Sequence, residues 1–370
     1  MLGTVDEESF PLTISWPTLK DRKRPLVLKG AACQWEARNI LQKHLVDDLK
    51  TTWRIHPLSG RTVWEAECHF LEASIGELLE WEGSESQDGV NPANPFAPFD
   101  RGAHWAYADY KHVKELAGDW LKRLEPLIDW STLGCDKSAE DSTVWLGTAG
   151  SHTPLHHDTY GVNLVSQLHG RKRWVLFPPS DHAHLYPTRV PYEESSVYSQ
   201  VDVRAPDLSR FSRFAEASAI SVTLEPGDVL FVPKHWWHFV EAVDTSLSIN
   251  VWIDAPDDAQ DRAKEALVRV LVTSLSESLT SEVGPSWLNP TEEALWPLEE
   301  TLQVADLAFG ALAACDKAAT SDQGDADGPG APPSTPRGKI SMKALVDAIT
   351  APDVLNRVVS SLRSVRGITP

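Results

Sequence analysis

Leu224-Glu225-Pro226-Gly227-Asp228-Val229-Leu230-Phe231-Val232-Pro233-Lys234-His235-Trp236-Trp237-His238 is the stretch from which the fold is read. A Pro-Gly-Asp turn is followed by an apolar run of strand type. The run ends at a proline, which cannot donate to a strand ladder, and leads into a histidine flanked by tryptophans. Phe239-Val240-Glu241 carries the strand pattern on. The same texture spreads in both directions. Val144-Trp145-Leu146, Leu164-Val165, Trp174-Val175-Leu176-Phe177, Ile220-Ser221-Val222-Thr223-Leu224 and Leu247-Ser248-Ile249-Asn250-Val251-Trp252 are short β-type runs. Turn signals separate them at residues 147–150, at Gly170 and at Pro178-Pro179. Many short strands with regular turns define a mainly β chain, as a sandwich, jelly roll or closed barrel.

Farther out the period changes. On the N-terminal side, residues 34–50, 71–81 and 112–120 have helical spacing, and the polar, Pro-, Gly- and Asn-rich stretch 83–101 reads as a loop. On the C-terminal side, Ala263, Leu267, Val270, Leu271, Leu275 and Leu279 repeat at three to four residues, and residues 296–314 predict a second helix. A Gly-, Pro-, Asp- and Ser-rich tract then predicts a disordered linker. Val354, Leu355, Val358, Val359 and Leu362 form an apolar stripe on a last helix that needs a partner. The resulting layout is an N-terminal extension (1–24), a β domain (25–255), a helical segment (256–315), a linker (316–339) and a C-terminal helix (340–370).

Composition narrows the function classes. The chain has 370 residues, 42% of them hydrophobic, with 15 tryptophans, so a large and partly aromatic core can form. Its 53 acidic and 34 basic residues give a net charge of -19, a field that repels phosphates and argues against nucleic-acid binding. Cys33, Cys68, Cys135 and Cys315 are widely spaced without a C-x-x-C pair, which argues against a disulfide framework or a thiolate zinc site. The first thirty residues carry no apolar leader and no stretch approaches a membrane span. A reducing compartment, cytoplasmic or nuclear, and no membrane association are expected.

The chemistry centres on Thr153-Pro154-Leu155-His156-His157-Asp158. In a strand, residues two apart share a face, so His156 and Asp158 project together and His157 points away. One further histidine from a distant strand completes a 2-His-1-carboxylate face, which suits Fe(II) and leaves coordination positions open. His238, set among tryptophans, is costly to bury charged and is the candidate. A histidine satisfied within the core is the competing reading, and for His235 a plain loop residue is preferred.

These elements together resemble the JmjC oxygenases. Besides His156-His157-Asp158 and Trp236-Trp237-His238, the chain carries Asn163, Gly170-Arg171-Lys172-Arg173, Leu176-Phe177-Pro178-Pro179 and Leu185-Tyr186-Pro187 in the order of the family's asparaginyl-hydroxylating branch. The resemblance covers roughly residues 142–254. It implies a double-stranded β-helix (jelly-roll, cupin) core with flanking helices. It also implies Fe(II) held by His156, Asp158 and His238, with 2-oxoglutarate as cosubstrate and O2 as oxidant. Carried over by position, Lys172 would pair with the far carboxylate of 2-oxoglutarate and Thr153 would donate to it. Asn250 and Asn163 would line the same pocket, and Tyr107 would touch that carboxylate. Side-chain chemistry alone leaves Arg171, Lys172 and Arg173 equivalent. One residue more than in that branch separates Asp158 from Asn163, and Gly161 lies within the interval.

Trp105-Ala106-Tyr107-Ala108-Asp109-Tyr110-Lys111, residues 186–197 and Trp287-Leu288-Asn289-Pro290-Thr291-Glu292 are similar to a branch of the family associated with small heat-shock proteins. Hydroxylation of a protein side chain is the expected reaction. Histone lysine demethylation is less favoured because no reader or zinc motif accompanies the barrel, and RNA-base hydroxylation because of the charge. The rival outside this class is a non-catalytic module that binds a small heat-shock protein. A Zn or Mn cupin enzyme without 2-oxoglutarate is a second rival, in which Lys172 and Thr153 would have no role. A homodimer through C-terminal helices is a further implication, and residues 83–101 and 186–204 are expected to shape the substrate groove.

Overall fold

The computed structural model describes residues 3–9, 18–19, 21–59, 64–84, 89–116, 119–255, 257–278, 288–289, 295–321, 353–354 and 357. Sixteen strands are present among them. The first eight are β1 (Gly3–Thr4), β2 (Asp6–Ser9), β3 (Leu26–Lys29), β4 (Lys50–Pro57), β5 (His69–Ser74), β6 (His104–His112), β7 (Thr143–Gly147) and β8 (His152–Asp158). The others are β9 (Val162–His169), β10 (Lys172–Phe177), β11 (Pro187–Thr188), β12 (Ser196–Ser199), β13 (Ile220–Leu224), β14 (Val229–Val232), β15 (Trp237–Ala242) and β16 (Ser246–Ile253). They build a seven-stranded sheet, β1-β13-β10-β15-β8-β12-β11, and a nine-stranded sheet, β2-β3-β14-β9-β16-β7-β6-β4-β5. Neighbours within each sheet come from distant parts of the chain, as a jelly roll requires.

Alternation along the strands sorts side chains into layers. Val165 and Leu230 of the larger sheet pack with Trp174, Leu176 and Val240 of the smaller one, so the two sheets face each other. The opposite face of the smaller sheet buries Val175, Phe177, Trp237 and Phe239 against Leu185 and Val197. The outer face of the larger sheet buries Leu164, Leu168, Ile249 and Val251 with N-terminal residues such as Trp35, Trp53 and Trp81. The residues expected to extend the N-terminus supply β1, parallel to β13, and β2, parallel to β3.

All the β-type runs read from the sequence are strands, but three expected helices are not helices throughout. Residues 34–50 form a short 3-10 turn (Glu36–Asn39) and further turns before β4 begins at Lys50. Ala37, Ile40, Leu41 and Val46 are buried by these turns, with His44 in the left-handed region at φ 55°, so burial does not need helical periodicity there. Residues 71–81 split between β5 and helix α1 (Ile75–Gly83). Ser74 marks the boundary: its side chain accepts from the Glu77 N–H while Glu77 accepts from the Ser74 N–H, a capping box. Residues 112–120 hold the end of β6 and a 3-10 turn (Val113–Glu115), and helix α2 (Trp120–Leu124) starts only where they end.

The chain divides into two compact units, one of residues 1–258 and 280–294, the other of residues 259–279 and 295–370. The second contains helix α3 (Asp258–Ser278) from Ala259 onward and helix α4 (Leu298–Ser321), which pack through Ala266, Val270 and Ala305. Residues 316–321 are thus helical. The rest of the expected linker, and all of the expected C-terminal stripe except Val354, lie outside the described residues. None of the described helices is long and apolar enough to cross a membrane. The four cysteines are free thiols.

The Pro-Gly-Asp turn between β13 and β14 is held by Asp228. Its buried carboxylate accepts from Lys29 Nζ at 2.5 Å, Gly30 N at 3.1 Å and Glu225 N at 3.0 Å. Gly227 has φ 98°, and a Cβ there would meet Cys33 Sγ at 2.6 Å, so only glycine fits. Asp228→Ala leaves two backbone donors and an ammonium without their acceptor. We expect it to cost about 1–3 kcal/mol in urea unfolding; an unchanged midpoint would show that the turn does not anchor the two strands.

Candidate metal centre

β8 and β15 are antiparallel, with His156 directly opposite His238. Their rings lie 4.2 Å apart, and His156, Asp158 and His238 each present a ligand atom within 4.8 Å of the others. His156 and Asp158 share the inner face through the two-residue period. The ladder then shifts register, pairing His238 with His156 but Val240 with Thr153. The extra residue in β8 falls at the Pro154–Leu155 step, a bulge where the missing proline N–H costs little. The bulge reverses the alternation, so Thr153 also faces the cavity that His156 lines.

Hydrogen bonds fix both imidazole tautomers. His156 Nδ1 lies 2.8 Å from the carbonyl of Pro154, and His238 Nδ1 lies 3.0 Å from that of Trp236. A carbonyl only accepts, so each Nδ1 carries a proton and Nε2 is the ring nitrogen left to face a metal. Burial, with His238 alongside, pushes His156 down to about 4, so it is neutral at pH 7. Asp158 turns Oδ1 toward His156 Nε2 at 4.0 Å, while its Oδ2 accepts from Trp252 Nε1 at 3.0 Å and Asn163 Nδ2 at 3.4 Å. Two imidazoles and a carboxylate with one oxygen turned inward match the donor set of a 2-His-1-carboxylate iron site. His157 points to the other face, 4.6 Å from the Trp237 ring. His235 sits at φ 66° with Nε2 2.8 Å from the Thr159 carbonyl and does not line the cavity.

The cavity holds about 210 Å³. Of the three consecutive cations, only Lys172 enters it; Arg171 pairs outside with Asp244 and Arg173 with Glu241. Lys172 is buried, and its Nζ donates to the Trp145 carbonyl at 3.2 Å and to Ser248 Oγ at 2.9 Å. Among the described residues no carboxylate forms an ion pair with it, and burial pushes it down to about 7. A buried ammonium with only neutral acceptors suits an incoming carboxylate. Tyr107 places its ring 5.3 Å from Lys172 Nζ and its hydroxyl 3.5 Å from Thr153 Oγ1. Gly147, opposite Tyr107 in the ladder, makes room for that ring, because a Cβ there would approach it to 2.7 Å. Asn250 and Asn163 face the cavity as well and bond to each other at 2.9 Å.

Sequence reasoning missed several cavity residues. Glu65, Asp109, Glu193 and Glu194 line it, together with the aromatic rings of Tyr110, Trp145, Tyr198 and Trp252. Asp109 is paired with the buried Arg54, and burial raises Glu65 to about 7. The inward parity of Trp252 was readable from the alternation of residues 247–252; nothing local marked Glu65. Of the two loops expected at the groove, residues 193–196 line the cavity. None of the described residues of 83–101 does, because that segment packs inward with Phe96 stacked 5.3 Å from Trp81. Gly161, in the interval that is one residue longer, adopts φ 73° and donates its N–H to Asp258.

The fold and the His-Asp-His face define a cupin-like protein of the JmjC type, and the chain belongs to that family: residues 17–259 match the cupin-like domain. Members are generally Fe(II)- and 2-oxoglutarate-dependent oxygenases. The chain is similar to HSPB1-associated protein 1 of Bos taurus, 43% identical over 286 residues, covering 75% of this chain and 57% of that protein. It is 41% identical over 294 residues to HSPB1-associated protein 1 of Homo sapiens, covering 78% and 58%. Lysine-specific demethylase 8 of Xenopus tropicalis is 38% identical over 237 residues, covering 62% and 48%. The chain thus spans less than two thirds of the length of these relatives.

Two further buried histidines make the fold acid-sensitive. Burial lowers His152 to about 4 and His157 to about 3. Unfolded, both return to about 6.5. Between pH 6.5 and 4 the unfolded chain therefore binds more protons, and stability falls as pH falls. We expect the unfolding midpoint to drop steadily across this window and the slope to flatten in His152→Gln; equal slopes would contradict the assignment.

Proposed function

We propose that this chain is an Fe(II)- and 2-oxoglutarate-dependent dioxygenase that hydroxylates a protein side chain, with His156, Asp158 and His238 as the metal ligands. The observation that carries this reading is the clustering of three ligand atoms, from His156, Asp158 and His238, within 4.8 Å of one another, with both histidines held through Nδ1 by backbone carbonyls. When bound, Fe(II) with 2-oxoglutarate and O2 supplies the oxidising power to hydroxylate a C–H bond, with succinate and carbon dioxide as by-products.

The chain's own residues do the rest. Lys172, Thr153 and Tyr107 receive the far carboxylate of the cosubstrate, and its arrival restores the ammonium form of Lys172. Asn250 and Asn163 border the same space. Tyr110, Trp145 and Trp252 wall the cavity and limit water. Glu193 and Glu194 line it too, which disfavours a phosphate-bearing substrate and supports a protein over a nucleic acid. Hydroxylation is preferred to histone demethylation here because the sequence carries no reader or zinc motif beside the barrel. The name of the mammalian relatives records association with HSPB1, and a small heat-shock protein is accordingly a candidate partner or substrate. A pure binding module would have no use for a buried lysine that, among the described residues, forms no ion pair with a carboxylate.

We expect Fe(II)- and 2-oxoglutarate-dependent succinate release from the wild type and none above background from His156→Ala or Asp158→Ala. Equal release from all three would remove the proposal. Lys172→Ala should raise KM for 2-oxoglutarate by on the order of thirtyfold or more, because the cosubstrate carboxylate would be buried unpaired.

A further inference from the structure

Asp158 has two oxygens, and a metal held by two histidines with room for substrate needs one of them presented and the other occupied. A chain of hydrogen bonds running away from Asp158 accomplishes this. Trp145 Nε1 lies 2.7 Å from Asn250 Oδ1, Asn250 Nδ2 lies 2.9 Å from Asn163 Oδ1, and Asn163 Nδ2 lies 3.4 Å from Asp158 Oδ2. Trp252 Nε1 donates to the same Oδ2 at 3.0 Å.

The direction of this chain follows from its first member. An amide side chain can face a neighbour with its oxygen or its nitrogen, so Asn163 and Asn250 could each be turned either way. An indole N–H only donates. Trp145 therefore fixes the oxygen of Asn250 toward itself and leaves the Asn250 NH2 to face Asn163. That in turn fixes the oxygen of Asn163 and leaves its NH2 for Asp158. Without the indole, only the long 3.4 Å contact with the acceptor-only carboxylate of Asp158 would hold the two amides in this sense.

The backbone supports the alignment. Trp252 and Asn163 are direct partners across β16 and β9, and Asn250 lies two residues from Trp252 on the same face. Trp145, on β7, reaches Asn250 from the other side of β16. All four side chains line the cavity. The link from Asn163 is the longest, near the limit for an N–H donor, so Trp252 is the stronger of the two direct contacts.

We infer that Trp145, Asn250, Asn163 and Trp252 are positioning residues: Trp145 sets the polarity of an Asn-Asn relay which, together with Trp252, occupies Asp158 Oδ2 and leaves Oδ1 as the one oxygen offered to the metal. The inference rests on the proposed metal site. It assigns Asn163 and Asn250 a task toward the ligand carboxylate that is separate from bordering the cosubstrate, and it gives Trp145 a task although its indole N–H bonds to Asn250 and not to any of the three metal ligands.

The test is a double-mutant cycle on Mn(II) affinity, without cosubstrate, read from the electron paramagnetic resonance signal of free Mn(II). Trp252→Phe keeps an aromatic ring and removes one direct donor; Kd should rise about ten- to a hundredfold. Asn163→Ala should also raise Kd. Trp145→Phe should raise it in the wild-type background and add nothing further in the Asn163→Ala background, because its effect passes through Asn163. A merely structural role for Trp145 would give the same factor in both backgrounds. Circular dichroism checks that each variant folds, and should Trp252→Phe not fold, the Trp145–Asn163 cycle still decides. Equal factors in both backgrounds, or a Kd for Trp145→Phe within twofold of wild type, overturn the inference while the metal site stands. No Mn(II) binding by the wild type would remove the metal site and the inference together.

Discussion

One strand register governs the site. His156 and His238 lie 82 positions apart in sequence and face each other because β8 and β15 pair antiparallel at that rung. A one-residue slip of β15 against β8 would turn His238 to the outer face and bring Trp237 and Phe239 inward, leaving His156 without its partner. The outer face is thus part of the site's construction. Its apolar layer makes the wrong register costly, since it would bury His238 there in place of Trp237 and Phe239. The bulge at Pro154–Leu155 adds what regular alternation forbids, two inward residues three positions apart, and so brings Thr153 into the same cavity as His156.

Electrostatics completes what the register begins. The cavity carries one buried ammonium, Lys172, next to neutral acceptors, and a group of carboxylates of which Asp109 is paired with Arg54. A dianionic cosubstrate and a divalent metal would balance Lys172 and Asp158 between them. The remaining acidic residues would then be left to act on whatever enters after the cosubstrate. The hydrogen bonds that hold the two imidazole protons come from Pro154 and Trp236, backbone carbonyls of the strands that bear the ligands. The orientation of the two imidazoles is thereby tied to backbone geometry.

The β core and the inward face of the His-x-Asp triplet were legible from the sequence because both follow from a period of two. Lys172 was legible only through the family resemblance: Arg171, Lys172 and Arg173 differ in the sheet's parity, and parity at that point depends on where the turn at Gly170 ends. The three N-terminal helices were misread for a physical reason. Turns such as those around Ala37, Ile40 and Leu41 bury apolar residues at helix-like spacing without repeating hydrogen bonds, and a capping box at Ser74 divides one apparent helix into a strand and a helix. The acidic lining from Glu65, Glu193 and Glu194 comes from segments distant in sequence, and no local pattern brings them together.

The central claim is that three side chains from two neighbouring strands hold one metal ion. Anomalous diffraction from crystals grown anaerobically with Fe(II), recorded on both sides of the iron absorption edge, tests it most directly. The account predicts a single peak within coordination distance of His156 Nε2, His238 Nε2 and Asp158 Oδ1, with Asp158 Oδ2 directed away toward Trp252. No peak at that point, or a peak bound by His157 or His235 instead, would contradict it.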